Sequence, residues 1–556
     1  MTAAPDLAAA ASAVDHAQRT IDAAAKHLAD NGGIDANQTV AYDLAHAAAA
    51  IENAKATLDY GSRGDVEARI ACAFAADALF DLHTRTLGRE QAWGIPTTNG
   101  QGALDATGHD VIARYRDPDF VAALAGEQGP RHLDGEFEMV QDTFRRFADD
   151  RIRPVAEHVH RTNADIPEDV IDGLAELGTF GLSVPEEYGG FSTGGESEYM
   201  AMVVATEELA RGSLGVGGSL ITRPEILTRA LVKGGTEEQK QHWLPKLASG
   251  EIMAAVAVTE PDFGSDVAGI KVTATPTGEG GNEGWAINGV KTWCTFAARA
   301  DVLMLLARTD PDRSKGHRGL SLFVVPKPRG AGHGFQFTQG HGGKMEGRAI
   351  DTIGYRGMHS YEVAFDNWVV PADNLVGGDA GRGRGFYLQM EGFENGRLQT
   401  AARAVGVMQA AYEAAYDYAA NRVVFGAPIL DYQLTRVKLG RMAVVIQSSR
   451  QFMYGVARLL AKGPGATESA PQRDGAMEAS MVKAYVCRAA EWVTREALQI
   501  HGGMGYAEEF PVSRYFVDAR VLSIFEGADE TLALKVIARR LLESALSGNG
   551  GAVRSS

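Results

Sequence analysis

Five separated segments carry residue types that local structure alone does not require. They are VTEPDFGSDVAGI at 258–270, INGVKTWCT at 287–295, NRVVFGAPILDYQ at 421–433, QIHGGMGY at 499–506 and DARVLSIFEGADE at 518–530. Thr259-Glu260-Pro261 and Gly264-Ser265-Asp266 read as a turn after a strand, where backbone N–H groups can donate to a ligand's oxygens. Trp293 and Thr295 alternate with Cys294, so on a regular strand they share a face. Arg422 closes a helix, and its planar fork suits a phosphate. Gly502 and Gly503 permit close backbone approach to a ligand. Glu526, in Ile524-Phe525-Glu526-Gly527, is a carboxylate able to accept a proton. Taken singly, each has a plain structural explanation: a Gly/Ser turn, a core tryptophan, a helix C-cap, and an acid favoured at a helix N-terminus.

The common nucleotide and hydrolase signatures are missing. GRGRGF is the nearest approach to a dinucleotide loop but follows no strand in the right pattern, and GHGGKM lacks the spacing of a P-loop. HExxH, CxxC and GxSxG do not occur. Cys72, Cys294 and Cys487 are far apart, which points away from structural disulfides and zinc and towards a reducing cytoplasm; no metal is expected. The net charge of −17 disfavours nucleic acid and is ordinary for solubility. A polyanionic ligand would need local basic docking points. No run of about 18 apolar residues predicts a membrane span, and Asp6 and Asp15 argue against a secretory or transit segment.

The elements that must position these residues follow from periodicity. Residues 1–125 are Ala-rich and helical; within them helices end near Leu87, and a Gly-rich stretch at 93–110, WGIPTTNGQGALDATGHD, reads as a linker. Residues 133–251 are helical, with an interruption at Pro154. Over 252–375 the period changes to two and six or more strands are expected, with Asn288-Gly289 as a hairpin signal. Residues 380–546 are helical again, and KGPGATESAPQRDG reads as a loop between two long helices. The fold class is α+β, with no alternation that would build a doubly wound parallel sheet.

In this order, the five motifs resemble those of the acyl-CoA dehydrogenase family, over roughly residues 133–545. The resemblance implies a helical domain, a middle β domain and a C-terminal four-helix bundle. It implies FAD held between the last two, with help from a neighbouring subunit. By resemblance, 256–265, including Val258, Thr259, Gly264 and Ser265, line the flavin, and Ser265 also faces the thioester. Trp293 shields the flavin edge and Thr295 donates to it. Arg422, Phe425 and Gln433 serve the dinucleotide across a dimer interface; Gln499, Gly502 and Gly503 approach its adenosine part. Ala528 and Glu530 fall at further FAD positions, although Ala528 replaces the usual Thr and so lacks its hydroxyl.

The implied reaction removes an α-proton and a β-hydride from an acyl-CoA. Glu526 is the expected base. The family's other base position is Gly396 here, and Glu394 and Glu391 are out of register. The backbone at Glu526 and Gly527 is expected to meet the thioester, and Arg397 to help hold CoA. The extension and several middle-domain segments point to a short branched acyl group with a free carboxylate, which needs a buried cation or several donors. Arg223 is the first candidate, with His359 and Tyr361 behind it. Other short-chain acyl-CoAs, glutaryl-CoA, and an inactive flavin-binding relative associated with DNA are the alternatives. An electron-transfer flavoprotein is the expected acceptor. The extension is expected to occupy a face that tetrameric relatives use for pairing, leaving a homodimer.

Overall fold

Strand structure begins where the apolar period shortens to two. The computed structural model describes residues 3–95, 102–278, 284–462 and 475–547. They form two units, one of residues 140–399 and one of residues 1–139 with 400–556.

In the 140–399 unit, eight strands form one sheet. They are β1 (Ala254–Ala257), β2 (Thr273–Thr277), β3 (Gly284–Thr295), β4 (Val302–Arg308), β5 (Leu320–Pro326), β6 (Gly334–Thr338), β7 (Lys344–Ile350) and β8 (Ser360–Val370). The order is β1-β4-β2-β3-β8-β7-β6, with β5 on the other side of β4. Among the described strands of this sheet, β1–β4 and β2–β4 pair in parallel and the others antiparallel. Burial alternates along β7, as expected of a strand with one wet face. All seven residues of β4 are buried, because helices pack over this end of the sheet. Leu227, Leu231, Leu244 and Leu247 meet Met304, Leu306 and Leu322 there.

Two local readings change. Asn288-Gly289 is not a hairpin turn but lies inside β3, where the register with β8 slips between Ile287 and Gly289 and Asn367 takes a positive φ of 48°. The β2–β3 connection falls at 278–283, of which 279–283 lie outside the described residues. The helix break at Pro154 is a π turn, Ala148–Ile152, before a helix that begins at Arg153. Proline has no N–H for the preceding turn, and a π turn accommodates the loss.

In the other unit, the extension packs with the C-terminal helices. Helix Leu7–Asp30 is capped by Asp6, which accepts from Ala9 N at 2.9 Å, and buries Ala10, Ala13, Val14, Ala17 and Ile21. Small residues at helical spacing let Leu7–Asp30, Gln38–Gly61 and Asp65–Thr86 approach closely. The stretch at 93–110 is more than a linker: Trp93 and Leu104 are buried, and Asp105 caps the helix Ala106–Tyr115, while 96–101 lie outside the described residues. Helices Gln433–Ala461 and Ala476–His501 complete this unit with the later part of Gly385–Asn421. Residues 463–474, the expected loop, lie outside the described residues. Gly126 N donates to Tyr412 at 3.0 Å, and Gln447 donates to Pro130 O at 3.0 Å. At Gly440 a Cβ would lie 2.0 Å from the Val121 carbonyl oxygen, so the two backbones touch.

Candidate active site

The turn after β1 is held from beneath by a buried ion pair. Glu260 accepts from Lys271 N at 2.6 Å, Val272 N at 2.8 Å and Lys291 Nζ at 2.9 Å. Lys291 Nζ also donates to Val258 O at 2.8 Å, and Thr292 N donates to Thr259 O at 2.8 Å. Lys291 is 0 % exposed, and burial pushes its ammonium down, to about 8, against the pull of Glu260. Strand β3 thus fixes Val258 and Thr259 while Gly264 and Ser265 stay at the surface. A Cβ at Gly264 would meet nothing within 4 Å.

Trp293 and Thr295 do not share a face. A bulge between Lys291 and Cys294 adds a residue to β3, and Trp293 takes a φ of 56°. The extra residue breaks the alternation. Trp293 is 54 % exposed, whereas Thr295 is buried with its hydroxyl 3.0 Å from that of Ser360. A large indole held outward by a left-handed backbone is the kind of strain that functional sites retain.

Glu526 sits in the loop between Arg520–Ser523 and Asp529–Thr531, with φ of 55°, next to Gly527 at 104°. Its side chain is 4 % exposed and pairs with Arg403, itself 0 % exposed, at 2.8 Å. Thr400 donates to the same oxygen at 2.5 Å, and Arg403 also donates to Thr400 at 2.6 Å. The guanidinium carbon lies 4.8 Å from the centre of the Phe525 ring. Lys483 Nζ donates to Gly527 O at 2.6 Å. Asp529, two residues on, accepts from Tyr42 at 2.5 Å and lies 3.1 Å from His46 Nε2. Ala528, Asp529 and Glu530 line a cleft of about 420 Å³ with Tyr42, Arg488 and Arg520. Of the acids near Gly396, Glu391 is half exposed and 3.6 Å from Lys233.

Elsewhere in this unit, Arg422 precedes a two-residue hairpin whose tip is Phe425 and Gly426, both at positive φ. Phe425 is 97 % exposed. Gln499, Gly502 and Gly503 are exposed at the end of Ala476–His501. Tyr418 stacks on His501 with ring centres 4.3 Å apart, which brings the Arg422 and Gln499–Gly503 ends together. Gln433 donates to Asp119 of the extension at 2.6 Å.

In the 140–399 unit, Arg223 is buried in the first turn of Thr222–Gly234 rather than on a helix surface. Thr222 donates to Gln399 at 2.7 Å. Glu225 accepts from Gln399 and Arg229, each at 2.8 Å, and from Asn395; burial pushes its carboxyl up. Arg397 is half-buried on the helix Gly385–Asn421. His359 lies 3.1 Å from Asp165, and Tyr361 donates to Gly332 O at 2.5 Å, so both engage their own unit. The three cysteines are buried and free, and burial raises all three thiols, Cys294 and Cys487 to about 12, far from nucleophilic use.

Arg403, Glu225, Tyr42 and His46 lie outside the five motif segments, and the motif reading gave Lys291 and Asp529, inside them, no part in holding the site. One signal was available: Asn395, Gln399 and Arg403 recur every four residues, on one helical face, in an Ala-rich helix.

Three domain models match the chain: the acyl-CoA dehydrogenase N-terminal domain over 134–251, middle domain over 255–368 and C-terminal domain over 383–542. The chain is 45% identical over 419 residues to (2S)-methylsuccinyl-CoA dehydrogenase of Cereibacter sphaeroides, covering 75% of this chain and 71% of that protein. It is 33% identical over 407 residues to the mitochondrial short-chain specific acyl-CoA dehydrogenase of Bos taurus, covering 73% and 90%. A solved glutaryl-CoA dehydrogenase of Mycobacterium smegmatis in complex with FADH2 matches with a TM-score of 0.62 at 26% identity, covering 76% of this chain and 97% of that one.

The chain belongs to the acyl-CoA dehydrogenase family. It is an FAD-dependent oxidoreductase of that family's fold. Its residues fit the cofactor. The turn at Gly264 and the backbone at Gly502–Gly503 leave room for close approach, with nothing within 4 Å of an added Cβ. Trp293 offers an exposed aromatic face and Arg422 an exposed guanidinium. Among the described residues no helix is long and apolar enough to cross a membrane.

Proposed function

We propose that this enzyme oxidises (2S)-methylsuccinyl-CoA to mesaconyl-CoA in the ethylmalonyl-CoA pathway, with Glu526 as base. The observation that carries the chemistry is the buried Glu526 carboxylate, held by Arg403 and Thr400 in a left-handed loop. A carboxylate in an ion pair with a guanidinium is deprotonated, the form a base needs. The 45% identity to the Cereibacter sphaeroides enzyme supports the substrate.

In this reading Glu526 accepts the α-proton, and the Cα–H electron pair becomes the new double bond as hydride leaves the β-carbon. FAD supplies the two-electron acceptor. The backbone N–H of Glu526 donates to the thioester oxygen, which gains charge as the proton leaves; such a donor contributes about 3–4 kcal/mol in related chemistry. Val258, Thr259, Gly264, Ser265, Trp293 and Thr295 would hold the isoalloxazine. Arg422, Phe425, Gln433, Gln499, Gly502, Gly503, Ala528 and Glu530 would hold the dinucleotide. Trp293 would shield the bound cofactor from oxygen and water. Ser265, Arg397 and Gly527 contact the CoA thioester. The free carboxylate of the acyl group needs a cation, and the buried guanidinium of Arg223 is the one assigned to it.

The enzyme is a cytoplasmic homodimer in which the extension covers the face that tetrameric relatives use for pairing, and an electron-transfer flavoprotein reoxidises it. Light scattering tests the dimer, and a tetramer rejects it. For the reaction, a panel of (2S)-methylsuccinyl-, glutaryl-, butyryl- and isovaleryl-CoA is run with an artificial electron acceptor on wild type and Glu526→Gln. Wild type is expected to favour the branched dicarboxylate, and the variant to keep FAD but fail to reduce it. Normal flavin bleaching by the variant would reject Glu526 as base.

A further inference from the structure

We infer that Tyr42 and His46, on the extension helix Gln38–Gly61, are positioning residues for the base, acting through Asp529. The inference rests on the reading of Glu526 as base. Asp529 Oδ2 takes the Tyr42 hydroxyl at 2.5 Å and lies 3.1 Å from His46 Nε2. Burial pushes Tyr42 up to about 12, so it remains an O–H donor. Burial also holds His46 below its ordinary value, hence neutral, and the carboxylate it faces selects the Nε2–H tautomer. Burial alone would raise the Asp529 carboxyl; the His46 and Tyr42 donors outweigh it and keep it ionised. Arg488 and Arg85 are the nearby cations facing His46, and the Tyr42 ring packs edge-on to it at 4.5 Å.

The loop needs such a tether. Glu526 and Gly527 are consecutive residues at positive φ, and a glutamate there persists only when its surroundings over-determine it. Arg403 and Thr400 hold the Glu526 side chain, and Lys483 holds the Gly527 carbonyl. Those three lie within the C-terminal family domain at 383–542. The hold on Asp529 comes instead from residues 42 and 46, outside the three family domains, the first of which begins at 134. The extension therefore does more than cover a surface. It fixes Asp529, three residues after the carboxylate-bearing Glu526. Proton transfer at carbon is sensitive to such placement: a displacement of about 1 Å costs on the order of a hundredfold.

The test uses the full-length FAD-loaded enzyme with Tyr42→Phe, His46→Gln and the double substitution. Stopped flow reads the rate constant of flavin reduction at saturating (2S)-methylsuccinyl-CoA; the same samples give KM, flavin content and Tm. The double variant is expected to reduce its flavin about ten- to a hundredfold more slowly, with KM and flavin content unchanged. A purely structural role would lower Tm or flavin content and leave the rate per bound flavin intact, and that result overturns the inference. If the double variant does not fold, Tyr42→Phe alone, which removes one O–H and keeps the ring, is judged by the same criterion. Glu526→Gln is run in parallel. If it reduces flavin normally, the base reading fails and this inference with it. If it is inactive while the Tyr42 and His46 variants run at full rate, only the tether is rejected.

Discussion

Arg403 and Glu526 form a buried ion pair at 2.8 Å, with side chains 0 % and 4 % exposed. Removing the cation strands a charge away from water. Arg403→Met is expected to cost about 3–5 kcal/mol of stability, read from urea midpoints. Glu526→Gln leaves the buried Arg403 guanidinium without its counter-charge, so it should cost a similar amount. A loss under about 1 kcal/mol in both variants would show that packing, not charge, holds this site.

Lys291 and Glu260 are a second buried pair, one that supports the turn 258–265. Lys291→Met is expected to purify with less than half the wild-type flavin, judged from the ratio of flavin to protein absorbance. It also strands Glu260, for a further loss of about 3–5 kcal/mol. Adding Glu260→Gln should recover part of the stability and little of the flavin.

His46 makes stability depend on acidity with a definite sign. Its folded pKa is lowered by burial, so below the unfolded value of about 6.5 the unfolded chain binds a proton that the folded chain refuses. The contribution is full above that value and is lost as pH falls towards the folded pKa. The Tm difference between wild type and His46→Gln should therefore shrink from pH 7.5 to pH 5. A difference independent of pH would mean that folding does not shift His46.

Arg223 is buried in a helix start, and the proposed function gives it the acyl carboxylate. Arg223→Gln should lower kcat/KM for (2S)-methylsuccinyl-CoA about a hundredfold, as expected when one member of a desolvated charge pair is removed. Butyryl-CoA, with no terminal carboxylate, should change by no more than a few fold. Equal losses on both would remove Arg223 from the acyl end.

The change of period at 252, the helical domains and the five motif segments were readable because they depend on local spacing. Trp293 was misplaced because strand alternation assumes an unbroken ladder, and the bulge between Lys291 and Cys294 is set by pairing with β8. Asn288-Gly289 has turn chemistry, yet a slipped register used it within a strand. The partners of Asp529 were invisible for a different reason: Tyr42 is 487 residues away, and no local rule joins them. Arg403 lay between these cases. Its spacing with Asn395 and Gln399 marks one helical face, but only the folded chain shows that Glu526 meets it.

At position 440 the helix Gln433–Ala461 has no side chain, and the Val121 carbonyl fills that space. In an isolated helix, alanine would be preferred over glycine by about 1 kcal/mol. Here the added methyl would act as a wedge between the helix and the first domain of the chain. A single hydrogen in place of a carbon thus lets two stretches, far apart along the polypeptide, lie flush.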